Sequence, residues 1–512
     1  MVGAAASLAF AREVPITLLQ TTDLHGRIVN PIPERPGDLP EAGLLRMASL
    51  IAAVRAETPN VLLVDCGDTV QGTPYSRETG GRLMIRAMEY LRYDAWTFGN
   101  HEFDWGLDAL RALHDATSLP MVVANIGVRS GAEHPLPKIQ PYVIRVVDGV
   151  RVAIVGLTTP GIPNWLLPEF LGPLTFQRSV PALEAVLPRV RAERPDVLVL
   201  LVHQGWRPTD DFANEVNAVA GAFREFDVIL GAHTHERVEG RDVAGIFYHQ
   251  SGYHGHYLGR VDLVYDTVAR KVVRRAGRLL PVTAETPVDP GLQALIGGDV
   301  ERRIAALDRA VGRAGAPLPG VSRPAGLSAT AALLRAAIAE ASGAEIVLHG
   351  ALTDAALEAG PIRERDLWRI VPYENRIGTA LLTFGELREI LDENAGLLGS
   401  RSFLGVSGLN AVLREGAPAG ERVGKMTLPD GSSPHARKRF KVAFNSYTLA
   451  SGGSRFARLR EIVRRPESRF ELTEIDTREA VRSYVRQRSP LTPAENPAEG
   501  LVIEPAAPTP AP

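Results

Sequence analysis

The sequence predicts an α/β protein of two domains, on three observations. Its 512 residues exceed what one compact core usually holds. From Ile16 to about Tyr265, short β-branched apolar runs recur, of a length suited to buried strands. Helical patterns, such as Ala42 to Ala56 and Ala182 to Glu193, lie between several of them. Composition narrows the class. Hydrophobic residues at 45% and charged residues at 23% exclude a disordered or fibrous chain. A net charge of −2 gives no basic imbalance for a nucleic-acid polymer. The single cysteine, Cys66, excludes an intrachain disulfide framework and a Cys-rich zinc module. No apolar run approaches the roughly 18 residues that cross a bilayer. Only five of the 57 basic residues are lysines, so a lone arginine is weak evidence for a phosphate site.

Taken in order, residues 1–13 suggest the remnant of a signal peptide, because Ala9-Phe10-Ala11 forms an A-x-A pattern before Arg12-Glu13. The expectation is a periplasmic or secreted chain, or a cytoplasmic one if Met1 is the true start and no signal exists. The first domain covers 14–288. Its expected strands are Ile16 to Leu19, Val61 to Val64, Met121 to Ala124, Val152 to Val155, Val197 to Val202 and Val228 to Leu230. Residues 289–317 read as a linker helix, with Leu292, Leu295, Ile296, Val300, Ile304, Leu307 and Val311 near helical spacing and Gly297-Gly298 as a weak point. The second domain, 318–490, is expected to hold a helix over Leu327 to Ala341 and strands near Ile346 to Leu348 and Lys441 to Phe444. The tail, 491–512, is rich in Ala, Pro and Glu and reads as disordered.

Ten of the twelve histidines lie before residue 257, and most follow an apolar run directly. Ile16 to Gln20 leads into Asp23-Leu24-His25-Gly26, and Val61 to Val64 into Asp65-Cys66-Gly67-Asp68. Trp96 to Phe98 leads into Gly99-Asn100-His101-Glu102-Phe103-Asp104. Val197 to Val202 ends at His203, and Val228 to Leu230 ends in Gly231-Ala232-His233-Thr234-His235. Five strand ends thus bring Asp, His and Asn to one sheet edge, where open α/β sheets bind ligands. Asp23 and His25 are two apart, as are His233 and His235, so extended backbone would project each pair to one side. Seven candidate ligands result: Asp23, His25, Asp68, Asn100, His203, His233 and His235. They are too many for one tetrahedral ion and fit two, about 3.5–4 Å apart, with Asp68 as the natural bridge. Carboxylate, imidazole and amide donors without thiolate suit Zn, Mn, Fe or Co. His249, His254 and His256 form a further cluster, open to a contact role beside the metals or to none. Cys66 reads as a small buried filler.

The series Asp-x-His, Gly-Asp, Gly-Asn-His-Glu, a single His and Gly-x-His-x-His resembles the calcineurin-like metallophosphoesterases. The fuller strings Thr22 to Gly26, Gly67 to Gly72 and Gly99 to Asp104 resemble their bacterial 5′-nucleotidase, UDP-sugar hydrolase and 2′,3′-cyclic phosphodiesterase branch. The resemblance implies a four-layer αββα sandwich followed by a smaller C-terminal α/β domain that sets specificity. It also implies two divalent ions: Asp23, His25, Asp68 and His235 would hold one, and Asp68, Asn100, His203 and His233 the other. His101 would face the phosphoryl group, with Asp104 fixing and charging its ring. A third histidine ligand and a helix N-cap are their respective alternatives. The activity implied is in-line attack by metal-activated hydroxide on a nucleoside monophosphate or related small phosphate ester. A 2′,3′-cyclic-nucleotide phosphodiesterase or a sulfur-ester hydrolase on the same metal core would be the alternatives.

In the second domain the family's Asn-Gly-Gly-Gly-x-Arg motif corresponds to Leu348 to Asp354, where the Arg is missing; Arg363 or Arg376 could substitute. Val371 to Asn375 resembles the family's Pro-Phe-x-Asn turn. Val406 to Leu409 resembles its Val-Ser-Gly strand, and Asn445 to Phe456 its base-stacking motif. The substrate contacts implied are Tyr447, Phe403, Asn375 and Arg376. Tyr447 is the favoured stacking ring, because an aromatic face accepts any base; core packing is the alternative for both rings.

Overall fold

The computed structural model describes residues 12–33, 37–492 and 500–505. The expected signal-peptide stretch therefore lies outside the described residues except for Arg12 and Glu13, and Glu13 opens the first strand. Contacts divide the chain into two units, 1–162 with 168–304, and 163–167 with 305–512.

The first unit is built on two sheets. One runs in the order Lys271–Pro281, Tyr257–Asp266, Glu13–Thr21, Val61–Asp65, Ala95–Trp96. The other runs Arg237–Val243, Ile246–Ser251, Val228–Leu230, Val197–Val202, Val150–Leu157, Tyr142–Val147. Alternation along each strand sorts the side chains. Ile16, Leu18, Leu62 and Val64 of the first sheet share one core with Val152, Ile154, Val199 and Leu201 of the second. Odd and even positions then part company: Val155, Leu157, Leu198 and Leu200 face the other way, onto Leu183, Val186, Leu187 and Val190 of helix Ser179–Ala192. On the first sheet Leu19 and Leu63 are buried as well. Helix Leu44–Glu57 buries Leu44, Met47, Ala48, Ile51 and Val54 at helical spacing. Each fully buried Val or Leu contributes about 1.5–3 kcal/mol relative to exposure, so a one-residue slip of any of these strands is costly.

This burial fixes the strand directions that matter for function. Glu13–Thr21, Val61–Asp65 and Ala95–Trp96 pair in parallel, so the segments after Thr21, Asp65 and Trp96 leave the sheet on one side. Val150–Leu157, Val197–Val202, Val228–Leu230 and Ile246–Ser251 are parallel too, which delivers His203 and Gly231 to His235 from one edge.

The second unit carries a five-stranded mixed sheet in the order Gly405–Ser407, Ile346–His349, Arg439–Asn445, Arg376–Thr383, Glu471–Asp476. Leu334, Ala337 and Ile338 of helix Ala329–Ser342 and Val481 and Val485 of helix Thr477–Arg488 pack with Val347, Ile377 and Ala443 of the sheet. Ser328 caps the first helix by accepting from Ala331 N at 3.2 Å. No helix of the described residues is long and apolar enough to cross a membrane.

Three expectations are corrected. The helix after Asp289 stops at Ala306, and its Gly297-Gly298 pair marks the change from a wide helical turn to regular helix. Val311 lies instead in strand Ala310–Ala314, paired with Gly360–Arg363. Apolar spacing could not separate the two, since a single buried Val serves either element. Within the supposedly disordered tail, Leu501–Glu504 is a strand alongside Asn410–Arg414, with Leu501 buried. The Leu501-Val502-Ile503 run is β-prone in spite of the Ala, Pro and Glu around it. Met121 to Val122 makes only single bridges, to Trp96 and Gln140.

Candidate metal centre

The loops that leave the first sheet are clamped to one another before any ligand is considered. Asp23 N donates to Gly67 O at 2.9 Å, His25 N to Asp68 O at 2.8 Å and Gly26 N to Thr69 O at 2.8 Å. Gly67 must be glycine, because a Cβ there would stand 2.4 Å from Gly99 N and 2.9 Å from His203 Nδ1, so it would clash. Asp23, His25, Asp68, His233 and His235 all have positive φ, between 47° and 69°. Asp23 and His25 do reach one ligand group, whereas His233 and His235 reach two different ones, and all four do so through left-handed turns rather than the extended backbone their spacing suggested. Such conformations cost of order 1–3 kcal/mol each and persist where surrounding structure overdetermines them, typically at functional sites.

Three of the Asp/His groups overlap. Asp23, His25 and His235 each offer a ligand atom within 4.8 Å of the others, as do His25, Asp68 and His101, and Asp68, His203 and His233. His25 Nε2 lies 3.2 Å from His235 Nε2 and 3.9 Å from Asp68 Oδ2. His235 Nε2 is 3.4 Å from Asp23 Oδ1, and His203 Nε2 is 3.1 Å from Asp68 Oδ2. Asp68 is thus the carboxylate shared between a His25 side and a His203 side.

Two buried atoms test whether divalent ions suit this cage. Asn100 Oδ1 has no hydrogen-bond partner. His203 engages Cys66 O through Nδ1 at 2.8 Å, and its Nε2 also lacks a hydrogen bond while facing the Asp68 carboxylate. Burial opposes a charged His203 ring, but Asp68 and Asp23 outweigh it and push the ring up to about 9. His233 is pushed the other way, to about 3, by burial and by His203, and so stays in its neutral ligand form. Carboxylate, neutral imidazole and amide oxygen form the donor set of a borderline divalent cation. The residues fit the group.

His101 is set apart. Its Nδ1 meets Asp104 Oδ2 at 2.6 Å, and its backbone N donates to Asp68 Oδ1 at 2.8 Å. Burial disfavours the charged ring, but Asp104 and Asp68 prevail and hold it at about 10. Geometry alone would admit His101 as a ligand, while the charges of Asp104 and Asp68 favour the protonated ring, which donates. Asp104 is not the N-cap of helix Leu107–Ala116, a position that Gly106 holds.

Sequence reasoning missed Glu102, the fourth residue of the Gly-Asn-His-Glu string. Fully buried, it accepts from Gly99 N at 2.6 Å, Thr69 N at 2.7 Å and Asp68 N at 2.8 Å. It therefore ties the turn bearing Asp68 to the turn bearing Asn100 and His101. Glu102→Ala strands three buried N–H groups at about 1–3 kcal/mol each. A loss of at least about 3 kcal/mol is expected in denaturant unfolding of metal-free protein, and an unchanged midpoint would contradict this role. His249 bonds Gln20 Oε1 at 2.7 Å and stands in none of the metal-ligating groups, so it is a packed histidine. Cys66 is buried, with its thiol pushed well up by that burial.

In the second unit, Asn375 O accepts from Thr477 N at 2.8 Å, Arg376 N donates to Ser446 Oγ at 3.2 Å, and the Arg376 guanidinium pairs with Glu474 at 3.1 Å. Asn375 and Arg376 therefore adjoin the Asn445-Ser446-Tyr447 turn. Half-buried Tyr447 accepts from Arg455 Nη1 at 3.2 Å. Phe403 does not join them. It is wholly buried, so the core reading holds and its ring has no open face for a base. Asp354, which stands near the expected arginine, carries the Arg401 guanidinium against it, while Arg363 N is engaged in a cap with Asp366.

Residues 16–237 match the family model described as calcineurin-like phosphoesterase, and residues 310–461 match that of the 5′-nucleotidase C-terminal domain. The chain is 31% identical over 260 residues to the trifunctional nucleotide phosphoesterase protein YfkN of Bacillus subtilis, which covers 46% of this chain and 18% of that protein. It is 25% identical over 563 residues to protein UshA of Yersinia enterocolitica, covering 98% of each. The chain thus spans less than a fifth of the Bacillus protein and nearly all of the Yersinia one. A 5′-nucleotidase precursor from Thermus thermophilus superposes with a TM-score of 0.73 over 96% of this chain and 99% of that one, at 23% identity, a likeness of fold.

Proposed function

Because the chain belongs to the calcineurin-like phosphoesterases and carries a 5′-nucleotidase C-terminal domain, we propose that it hydrolyses nucleoside monophosphates or related small phosphate esters with the help of two divalent ions. The observation that carries this reading is Asp68, a buried carboxylate standing between His25 and His203, with His101 bonded to its far oxygen through the backbone. Asp23, His25, Asp68 and His235 would hold one ion, and Asp68, Asn100, His203 and His233 the other. Bound there, the ions would neutralise phosphate charge and lower the pKa of water.

The remaining roles belong to the chain itself. His101 presents a charged ring to the leaving oxygen and can supply its proton. Asp104 fixes the ring through Nδ1 and favours its charged form. Glu102 holds the backbone of both turns so that these groups need not reorganise during the reaction. In the second unit, Tyr447 offers a ring on which a nucleobase could stack. The name of the Bacillus relative, a trifunctional nucleotide phosphoesterase, supports nucleotide substrates without choosing among them.

A panel of AMP, 2′,3′-cyclic nucleotides and bis(4-nitrophenyl) phosphate, run with Mn, Zn, Co and Fe, tests the reading. AMP turnover that requires a divalent ion is expected. Turnover of the cyclic diesters alone would move the assignment to a cyclic phosphodiesterase, and no turnover of any ester would remove it. Tyr447→Ala should raise KM for AMP by roughly 5- to 150-fold, the equivalent of about 1–3 kcal/mol of stacking, and leave glycerol phosphate unaffected. Equal effects on the two substrates would exclude a base contact.

A further inference from the structure

We propose that Asp38, His254 and His256 form a third divalent-cation site, distinct from the seven ligands above. One ligand atom from each lies within 4.8 Å of the others. His256 Nε2 is 3.2 Å from Asp38 Oδ1, and His254 Nδ1 is 4.0 Å from Asp38 Oδ2. Both of these ring nitrogens are buried and make no hydrogen bond. His254 is 2% exposed and His256 9%. Two imidazole nitrogens that face one carboxylate across 3.2 and 4.0 Å form a ready ligand set, and a cation satisfies all three donors at once. Two histidines and one aspartate without thiolate suit Zn²⁺ and similar borderline ions and leave a position for water.

The surroundings say what such an ion does. Gly43 N donates to Gly255 O at 3.3 Å, and the left-handed Gly255 packs on the Gly43 backbone. An ion on Asp38, His254 and His256 therefore fastens the segment before Gly43 to the turn around Gly255. That turn serves the main centre: His254 N donates to Asp23 O at 2.8 Å, and the Tyr253 ring stacks on His235 at 4.9 Å while its hydroxyl meets Asp38 Oδ1 at 3.1 Å. The third ion is structural and steadies His235. Arg27, bonded to His25 O at 2.7 Å, stands beside the same turn.

The test is the number of Zn²⁺ ions per chain by native mass spectrometry, on full-length protein stripped with chelator and titrated with Zn²⁺ alone. Three ions are expected for the wild type and two for His256→Ala. Asp38→Asn, in a surface segment, serves the same purpose if His256→Ala fails to fold. An Asp23→Ala/Asp68→Ala variant should keep one ion and lose it when His256→Ala is added. A wild type that saturates at two, with both lost in the Asp23/Asp68 variant, overturns the third site and leaves the main centre standing. A wild type with one ion that only His256→Ala removes keeps the third site and overturns the main centre.

Discussion

Asp68→Asn is expected to cut turnover of 4-nitrophenyl phosphate by at least about a thousandfold, because Lewis-acid stabilisation worth several kcal/mol disappears at about 1.36 kcal/mol per tenfold in rate. Asparagine is the informative replacement. It tolerates the left-handed backbone found at this position (φ 53°), whereas alanine would add strain to the loss of charge. The amide keeps an oxygen for the His101 backbone N, so the turn that bears His101 retains its hydrogen bond. What it loses is the negative charge shared between the His25 and His203 sides. Metal content should fall together with activity. Full activity in this variant would mean that Asp68 bridges nothing.

The second large effect separates chemistry from metal binding. His101→Ala should leave the ions of the main centre in place and lower kcat by about 10²–10⁴, the usual contribution of a positioned acid. Asp104→Asn keeps the ring but replaces the carboxylate at 2.6 Å that charges and orients it, so a smaller loss in kcat is expected. The paired measurement is kcat against bound metal. Loss of metal in His101→Ala would make the histidine a ligand, and an unchanged kcat would take it out of the reaction.

Much of the centre was legible in the sequence for a simple physical reason. A strand buried on both faces must be an unbroken apolar run, so the polar string that follows it marks the edge of the sheet, as Val61 to Asp65 followed by Gly67-Asp68 shows. The seven candidate ligand positions could be named on that basis. Their backbone could not: Asp and His tolerate left-handed φ without announcing it, and only the folded loops show that Asp23, His25, Asp68, His233 and His235 all adopt it. Glu102 went unread because its partners are main-chain N–H groups, which carry no residue identity. Asp38 lies more than 200 residues from His254 and His256, and no spacing rule joins them. Phe403 illustrates the opposite failure. An aromatic residue in a family-like string looks the same whether its ring faces a ligand or, as here, the core. In Ala310–Ala314 and Leu501–Glu504, strand pairing overrode local pattern and composition.

Anomalous diffraction from a crystal grown with Mn²⁺ or Zn²⁺, recorded at that metal's absorption edge, tests the central claim most directly. Two peaks about 3.5–4 Å apart with the Asp68 carboxylate between them are predicted. A single peak beside Asp68, or none, would contradict it.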